Sequence, residues 1–216
     1  MSDPFVHLHV ASGYSLRYGA SSPGAMVARA ADLGMTDLAL TDRDGVYGAV
    51  KFVQACAAAG IRPLLGVDLA VAPTATDPAG ARDSGGCRSV PGRRTPARGG
   101  VSVDPRLPRV TLLAADRRGW AALCRLVSAT HLAGERGRPV TTVELVATHA
   151  GGGLLVLLGP HSEVGEACVA HRPDRARALL RPWRAAVAAE DLLVEIVSHG
   201  GPGDAARGAR LAGFAA

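Results

Sequence analysis

The sequence has few of the residues that mark redox proteins, structural zinc sites or disulfide scaffolds. It contains four cysteines in 216 residues, and none of them forms a Cys-x-x-Cys pair, which argues against a zinc ribbon and a thiol redox motif. A disulfide framework is not expected in a chain this long with 48% hydrophobic residues. Aromatic residues make up only 4%, so alanine, valine and leucine must fill the core.

Lysine is scarce, and the sequence has no pattern typical of a signal peptide or of a membrane-spanning segment. Lys51 is the single lysine, so arginine carries the net charge of +5. That charge is compatible with a nucleic-acid partner but does not establish one. The N-terminus lacks the order of charged, apolar and small residues typical of a signal peptide, and no apolar run is long enough to span a membrane. We therefore expect a cytoplasmic protein without a membrane partner.

Apolar runs of strand type alternate with helical patterns along the chain. Ser22 is the predicted N-cap of a first helix that begins with Pro23 and stops at Gly34. A second helix ends at Gly60 and is predicted to bury one face, formed by Val46, Val50, Val53 and Ala57. The strand–helix order predicts parallel strands with crossover helices. The six predicted strands are 5–10, 37–42, 62–71, 109–115, 153–159 and 191–199.

Residues 74–108 break this pattern. They hold five prolines, six glycines and six arginines against three aspartates. Such a composition buries little apolar surface, so we predict a loop or disordered insertion. The alternative interpretation is an arginine-rich DNA-binding module, with Arg93, Arg94 and Arg98 as its candidate contacts, and a solvated linker is the favoured of the two.

The chain reads as one domain over residues 1–216, and its C-terminal helical pattern has no glycine or asparagine cap. A closed barrel would need further strands, and an open parallel sheet would leave an edge that proteins usually cover. We therefore expect the domain to be truncated before barrel closure.

Two histidines in the first apolar run are the first candidates for chemistry. His7 and His9 are two residues apart, so they share one face of a strand and are able to bind one metal ion. Alone, the His-x-His pattern also fits a pair of hydrogen-bonded histidines inside a barrel. The residues leave both interpretations open.

Other candidates lie at predicted strand ends, where the active sites of parallel barrels form. Asp42 and Asp44 follow the second predicted strand, Asp68 lies in the third, and His161 and His199 close the last two. Asp42 has a second interpretation, since an aspartate there also serves to cap a helix or close a turn. The sequence contains no Gly-x-x-x-x-Gly-Lys loop, Gly-x-Ser-x-Gly elbow or paired-carboxylate motif.

The combination YS…GASSP…ALTDRDG…YGAVKF…AGI.PL.GV resembles the PHP (polymerase and histidinol phosphatase) domain. Within that family it is most similar to the N-terminal domain of bacterial DNA polymerase III alpha subunits. The run RVTLLAADRRGWAALCRLVSATHLAGERG is similar to the same domain, and the arginine-rich composition is similar to the error-prone actinobacterial branch. The resemblance covers nearly the whole chain, with 74–108 as a variable insertion.

The resemblance implies a distorted parallel β/α barrel. Active members bind a metal cluster through histidines and acids at the strand ends and hydrolyse phosphoesters, and in some alpha subunits this provides 3′–5′ exonuclease proofreading. Carried over position by position, the resemblance implies a degenerate site. His7 and His9 match the first two histidines of the His-x-His-x-His run, but the third is Ala11. Tyr18 replaces an acid, and Arg43 replaces the histidine of a Thr-Asp-His turn.

The remaining family positions follow the same trend. Asp68 replaces a metal-binding glutamate, and the last ligands are expected beyond residue 216. The resemblance thus implies a structural, catalytically degenerate domain, with no cofactor in this chain, at the start of a DNA polymerase III alpha subunit. The parent would extend primers with two Mg²⁺ ions in a palm domain absent here, acting in replication or error-prone repair. Its partners would be the rest of the subunit and, through the parent, DNA.

The main alternative is a free-standing, metal-dependent PHP phosphoesterase or 3′–5′ exonuclease with a rearranged site. That site would use His7, His9, Asp42, Asp68 and His199. The missing ligands count against it, because zinc and manganese sites need a nearly complete ligand set.

Overall fold

A computed structural model describes residues 5–74, 107–134 and 137–215. The described residues form seven α-helices, one short 3-10 helix (Ala189–Asp191) and five strands. The helices are α1 (Pro23–Asp32), α2 (Ala49–Ala59), α3 (Arg117–Ala133), α4 (Val143–His149), α5 (Glu163–Val169), α6 (Pro173–Ala186) and α7 (Asp204–Ala215). The strands are β1 (Asp37–Leu40), β2 (Arg62–Ala70), β3 (Arg109–Ala114), β4 (Leu154–Leu158) and β5 (Leu192–Val194). Of the predicted insertion 74–108, only residues 74, 107 and 108 are described, and Arg93, Arg94 and Arg98 lie outside.

The strands form one mixed sheet in the order β1-β2-β3-β4-β5. The pairs β1–β2 and β4–β5 are parallel, whereas β3 runs antiparallel to both β2 and β4. The expected α/β class is confirmed, but the all-parallel arrangement is wrong. Two helices, α3 and α4, separate β3 from β4, so the chain returns to the end of the sheet that it left and β4 must run opposite to β3. Among the described residues, no backbone ladder joins β1 to β5 and closes a barrel.

The predicted first strand, residues 5–10, is extended chain beside β1 rather than a strand of the sheet. The backbone N–H groups of Ala39 and Thr41 donate to the carbonyls of His7 and Val10 at 3.1 and 2.8 Å. The N–H of Val10, however, donates to the side-chain oxygen of Thr41 at 2.8 Å. A side-chain hydroxyl thus takes the place of a main-chain acceptor, and the regular ladder does not form. The last strand is also shorter than predicted, ending at Val194.

The helix boundaries follow their capping residues. The Ser22 hydroxyl accepts from the N–H of Ala25 at 3.2 Å, and Pro23 occupies the first turn of α1, as predicted. Gly60 ends α2 with a φ of 70°, a left-handed conformation that glycine adopts without steric cost.

The predicted buried face of α2 is wrong. Ala49, Phe52 and Cys56 are its buried residues, whereas 69% of Val50 and 37% of Val53 are exposed. The ring of Phe52 is the largest apolar group on the helix, and it fills the space between α1, α2 and β1 together with Val27 and Leu38. Burying that ring outweighs burying the smaller valines.

Apolar residues pack on both faces of the sheet. The larger core lies between the sheet and helices α3 to α7 and includes Leu69, Leu112, Leu126, Val156 and Trp183. A smaller cluster of Ala39, Leu113 and Leu157 lies on the opposite face. Cys56, Cys124 and Cys168 are free thiols. Within the described ranges, no helix combines the length and apolar character needed to cross a membrane.

Candidate functional site

One cavity of about 880 Å³ opens at the end of the sheet where β1, β2, β4 and β5 finish and β3 begins. The strand directions explain its contents, because the antiparallel β3 brings its first residue, Arg109, opposite Ala70 at the end of β2. The carboxyl end of β4 contributes Gly159, Pro160 and His161 to the wall. The chain after β5 contributes Glu195. Side chains from separate parts of the sequence therefore meet here.

A polar layer at this end lies above an apolar one. Side chains alternate along a strand, so every second residue faces the same way. Deep in the sheet this face carries Leu113 and Leu157. Near the cavity, the same alternation brings Asp68, Arg109 and Thr111 to the wall. The apolar layer keeps water from one side of the polar groups, which strengthens their mutual interactions.

Asp68 is the most enclosed acid of the cavity, with 4% of the residue exposed. Its Oδ2 accepts from Nε of Arg109 at 2.7 Å and lies 3.7 Å from Nε of Arg43. The Arg43 guanidinium also lies over the ring of Tyr18, 3.6 Å from its centroid. Oδ1 of Asp68 is buried and has no hydrogen-bond partner among the described residues. Two arginines thus balance the charge of a carboxylate that is almost fully buried.

His9 connects the N-terminal segment to the far side of the sheet. Its Nδ1 lies 3.2 Å from Oε2 of Glu195 and 3.2 Å from the hydroxyl of Thr111, and its Nε2 lies 3.9 Å from Oδ2 of Asp68. Burial lowers the pKa of His9, but the hydrogen bond and charge of Glu195, together with the charge of Asp68, outweigh burial and raise that pKa above its usual value. The surroundings therefore favour a protonated imidazole.

The raised pKa of His9 predicts that stability decreases as the pH rises. A group whose pKa is higher in the folded state contributes its full stabilisation below the unfolded value of 6.5, and this contribution is lost as the pH rises through the folded pKa. We expect the free energy of unfolding, measured by urea denaturation from mildly acidic to alkaline pH, to fall across that window. His9→Gln and Glu195→Gln should each flatten the profile. An unchanged slope in both variants would contradict the assignment.

The carboxylate of Asp42 is hydrogen-bonded within the Ser12–Ser15 turn and is not part of the cavity wall. Its carboxylate accepts from the N–H of Ser12 at 2.7 Å, from the Ser12 hydroxyl at 2.8 Å and from the Ser15 hydroxyl at 2.6 Å. The Ser15 oxygen in turn accepts from the N–H of Arg43 at 2.9 Å. Asp42 and both serines are almost fully buried. The turn-forming interpretation of Asp42 is therefore the one that the geometry supports.

Most of the other residues singled out in the sequence do meet in this cavity. His7 and His9 line the same wall, as two histidines two residues apart on an extended chain should. Asp44 is not part of the wall, but its Oδ1 accepts from Nη2 of Arg109, which is, at 2.8 Å. Asp204 accepts from the N–H of His199 at 2.8 Å, and this bond and the Arg207 guanidinium lower the pKa of Asp204 to about 2. The remaining members of the wall from that set are Ala11, Tyr18, Arg43, Asp68, His161 and His199.

Three residues of the site escaped the sequence analysis: Arg109, Thr111 and Glu195. If all strands are parallel, the site residues are expected at their carboxyl ends. Arg109 and Thr111 instead lie at the amino end of β3, which runs antiparallel to β2. Glu195 falls in the middle of the run predicted as a strand over 191–199, and the strand ends one residue before it. The sequence did contain one signal for Arg109: it is an arginine at the start of an apolar strand, and a charge buried there needs a partner of opposite charge.

The fold and the polar cavity at its strand ends define a class, that of PHP-type α/β domains. The sequence profile of the PHP domain matches residues 7–199, and the chain belongs to that family. Its fold is similar to that of a protein described as a metal-dependent phosphoesterase from Bifidobacterium adolescentis, with a TM-score of 0.56 and 13% identity over 97% of this chain and 82% of that one. An amidohydrolase from Chromobacterium violaceum, solved with bound sulfate and no metal, gives a TM-score of 0.58 at 16% identity over 97% of this chain and 82% of that one.

The curated relatives are DNA polymerases. The chain is 35% identical over 216 residues to an error-prone DNA polymerase of Mycolicibacterium paratuberculosis, covering 99% of this chain and 18% of that protein. It is 30% identical over 200 residues to a DNA polymerase III subunit alpha of Saccharopolyspora erythraea, covering 93% of this chain and 17% of that protein. The chain thus spans less than a fifth of the length of these two relatives.

The described residues do not fit the metal cluster that the family implies. No group of three or more His, Cys, Asp or Glu side chains in the described ranges is arranged to hold a metal ion. The Asp68 oxygen nearest the cavity arginines is already bound to Arg109, and His9 is bound to Glu195. A dication beside Asp68 would also meet the positive charges of Arg43 and Arg109 at close range.

Proposed function

We propose that this chain is a non-catalytic PHP domain that serves as a structural part of a DNA polymerase III alpha-type polypeptide, of the error-prone kind. The polypeptide would extend primers with Mg²⁺ held in another domain and would act in the cytoplasm. The identity to error-prone polymerases over nearly all of the chain supports the assignment to this type of polypeptide.

The observation that carries the non-catalytic part of the proposal is that Asp68 is already bound to Arg109. Its Oδ2 lies 2.7 Å from Nε of Arg109, a charge-assisted hydrogen bond between side chains that are 6% and 9% exposed. A phosphoesterase of this family needs its acids free for metal ions, since metal supplies both the nucleophilic water and the stabilisation of charge. Here the acid is neutralised by the protein itself.

An apolar surface on α2 supports the structural part of the proposal. Val50 and Val53 are 69% and 37% exposed and lie three residues apart on α2, and Tyr47, in the turn just before the helix, is 66% exposed. Tyr14 lies beside this surface, since the ammonium of Lys51 is 5.7 Å from the centroid of its ring. Several exposed apolar side chains close together are typical of a site of protein contact. We propose that the rest of the polymerase polypeptide covers it.

The alternative functions have less support. A rearranged phosphoesterase site would require Asp42, which Ser12 and Ser15 already engage. The likeness to the Bifidobacterium and Chromobacterium proteins extends to the fold, at 13% and 16% identity. A DNA-binding module in 74–108 rests on residues outside the described ranges and stays a sequence-based hypothesis.

Metal content and hydrolytic activity test the proposal together. We expect protein purified without chelator to contain far less than one zinc or manganese ion per chain, because Asp68 is already paired with Arg109 and Glu195 with His9. We also expect no 3′–5′ degradation of a labelled single-stranded oligonucleotide and no hydrolysis of p-nitrophenyl phosphate when Zn²⁺ or Mn²⁺ is added. Elemental analysis and the two assays supply the measurements.

The matched variant for this test is His9→Ala, which removes the one histidine that lies near both Asp68 and Glu195. It should change neither the metal content nor the absence of activity. Near-stoichiometric zinc or manganese that disappears in His9→Ala, accompanied by hydrolysis, would overturn the proposal and establish the phosphoesterase alternative.

A further inference from the structure

We propose that Arg109 is the built-in counter-cation of this domain, holding Asp44 and Asp68 together as a bound dication would, so that the fold is independent of metal. The inference rests on the proposed non-catalytic function and deepens it, because it states what replaced the metal. Arg109 is not one of the positions at which the resemblance to the family implies a metal ligand.

The geometry of Arg109 is that of a bridge between three segments. Its Nε donates to Oδ2 of Asp68 at 2.7 Å, and its Nη2 donates to Oδ1 of Asp44 at 2.8 Å and to the carbonyl oxygen of Asp68 at 2.7 Å. Arg109 begins β3, Asp68 is in β2 and Asp44 follows β1. One guanidinium therefore ties together the ends of two strands and the loop that precedes α2.

The loop that it holds is conformationally unfavourable without a partner. Asp44 has a φ of 57°, in the left-handed region that residues with a Cβ rarely adopt. Its N–H donates to the carbonyl of Asp68 at 2.8 Å, and its carboxylate accepts from Nη2 of Arg109 at 2.8 Å, so β2 holds its backbone and β3 holds its side chain. The bond from Arg109 fixes the Asp44 carboxylate, and with it the turn from β1 into α2.

Charge and burial make the bridge hard to replace. Only 9% of the Arg109 side chain and 6% of the Asp68 side chain are exposed. Burial alone would lower the pKa of Arg109, but the charges of Asp68 and Asp44 outweigh it and raise that pKa further. Removing one partner of such a pair leaves an uncompensated charge away from water, which is strongly destabilising.

The shape of the guanidinium matters as well as its charge. Its planar fork donates in two directions at once, to Asp68 from Nε and to Asp44 from Nη2, whereas the ammonium of lysine is a single point. Arg43 adds a second positive charge 3.7 Å from the same Asp68 oxygen. The acid that would bind a metal is thus enclosed by two fixed cations.

A double-mutant cycle on the whole 216-residue chain tests the bridge. We expect Arg109→Met to lower the melting temperature by about 6 °C or more, and Arg109→Lys to recover only part of the loss. Asp68→Asn should also destabilise, but the double variant Asp68→Asn/Arg109→Met should be clearly more stable than the sum of the two losses predicts. The matched control is Arg29→Met, an exposed arginine of the same cavity wall, which should leave the melting temperature nearly unchanged.

Metal dependence is measured on the same samples. The melting temperature of the unaltered chain should be the same in excess EDTA and in added Zn²⁺ or Mn²⁺. Additive losses in the cycle, or a rise in melting temperature with metal that EDTA reverses, would overturn the inference. Additive losses without hydrolytic activity would leave the proposed function standing. Hydrolysis without metal, in a protein that still shows the Arg109–Asp68 coupling, would overturn the proposed function and leave the bridge.

Discussion

Replacing Asp42 by alanine is expected to destabilise the domain by about 5 kcal/mol. The carboxylate is 1% exposed and accepts three hydrogen bonds, from the N–H and hydroxyl of Ser12 and from the hydroxyl of Ser15. Alanine leaves these three buried donors without an acceptor, at about 1–3 kcal/mol for each. The loss would spread to Arg43, whose N–H depends on the Ser15 oxygen. Urea denaturation monitored by circular dichroism would measure the change.

Two further variants make the Asp42 prediction specific. Asp32→Ala removes an exposed aspartate at the end of α1 and should change the free energy of unfolding by less than about 0.5 kcal/mol. Asp42→Asn retains one acceptor oxygen and should lie between the alanine variant and the unaltered chain. If Asp42 were instead a metal ligand, Asp42→Ala and the unaltered chain would unfold alike in EDTA. That result would refute the turn-forming role.

Capping signals and the longer elements of the fold were predictable because they depend on local chemistry. Ser22 and Pro23 begin α1, and Gly60 ends α2, through bonds and conformations confined to neighbouring residues. The sheet direction was not predictable in the same way. Whether β3 runs with or against β2 depends on how the intervening segments cross the sheet, and no local pattern in RVTLLAA encodes that.

The site could be predicted in its components and not in its connections. The positions of His7, His9 and Asp68 follow from the period of extended chains and from the resemblance to the PHP family. The partners of these residues do not, because Arg109 and Glu195 reach them from 41 and 186 positions away. Pairing over such separations is set by the order of strands in the sheet, so the resemblance draws attention to Arg43 and not to Arg109, the arginine bonded to Asp68.

The second large effect concerns α2, where periodicity gave the wrong buried face. Phe52→Ala should cost about 4 kcal/mol, because the ring is fully buried against α1 and β1 and its loss leaves a cavity that the strand backbone is unable to fill. Val50→Ala, two residues away on the same helix, should change the free energy of unfolding by less than about 0.5 kcal/mol, since 69% of that side chain is exposed.

Val50 and Val53 explain why the helical periodicity of α2 predicted the wrong buried face. Val50 and Val53 satisfy the spacing of a core-facing stripe, but so do Ala49, Phe52 and Cys56 on the adjacent face, and the helix is apolar on both. A helix with two apolar sides buries the larger one in its own domain and leaves the smaller one for another surface. Denaturation of Phe52→Ala and Val50→Ala side by side separates the two sides. Equal losses in the two variants would mean that both faces of α2 are buried within this chain, which would remove the docking surface assigned here to the rest of the polymerase.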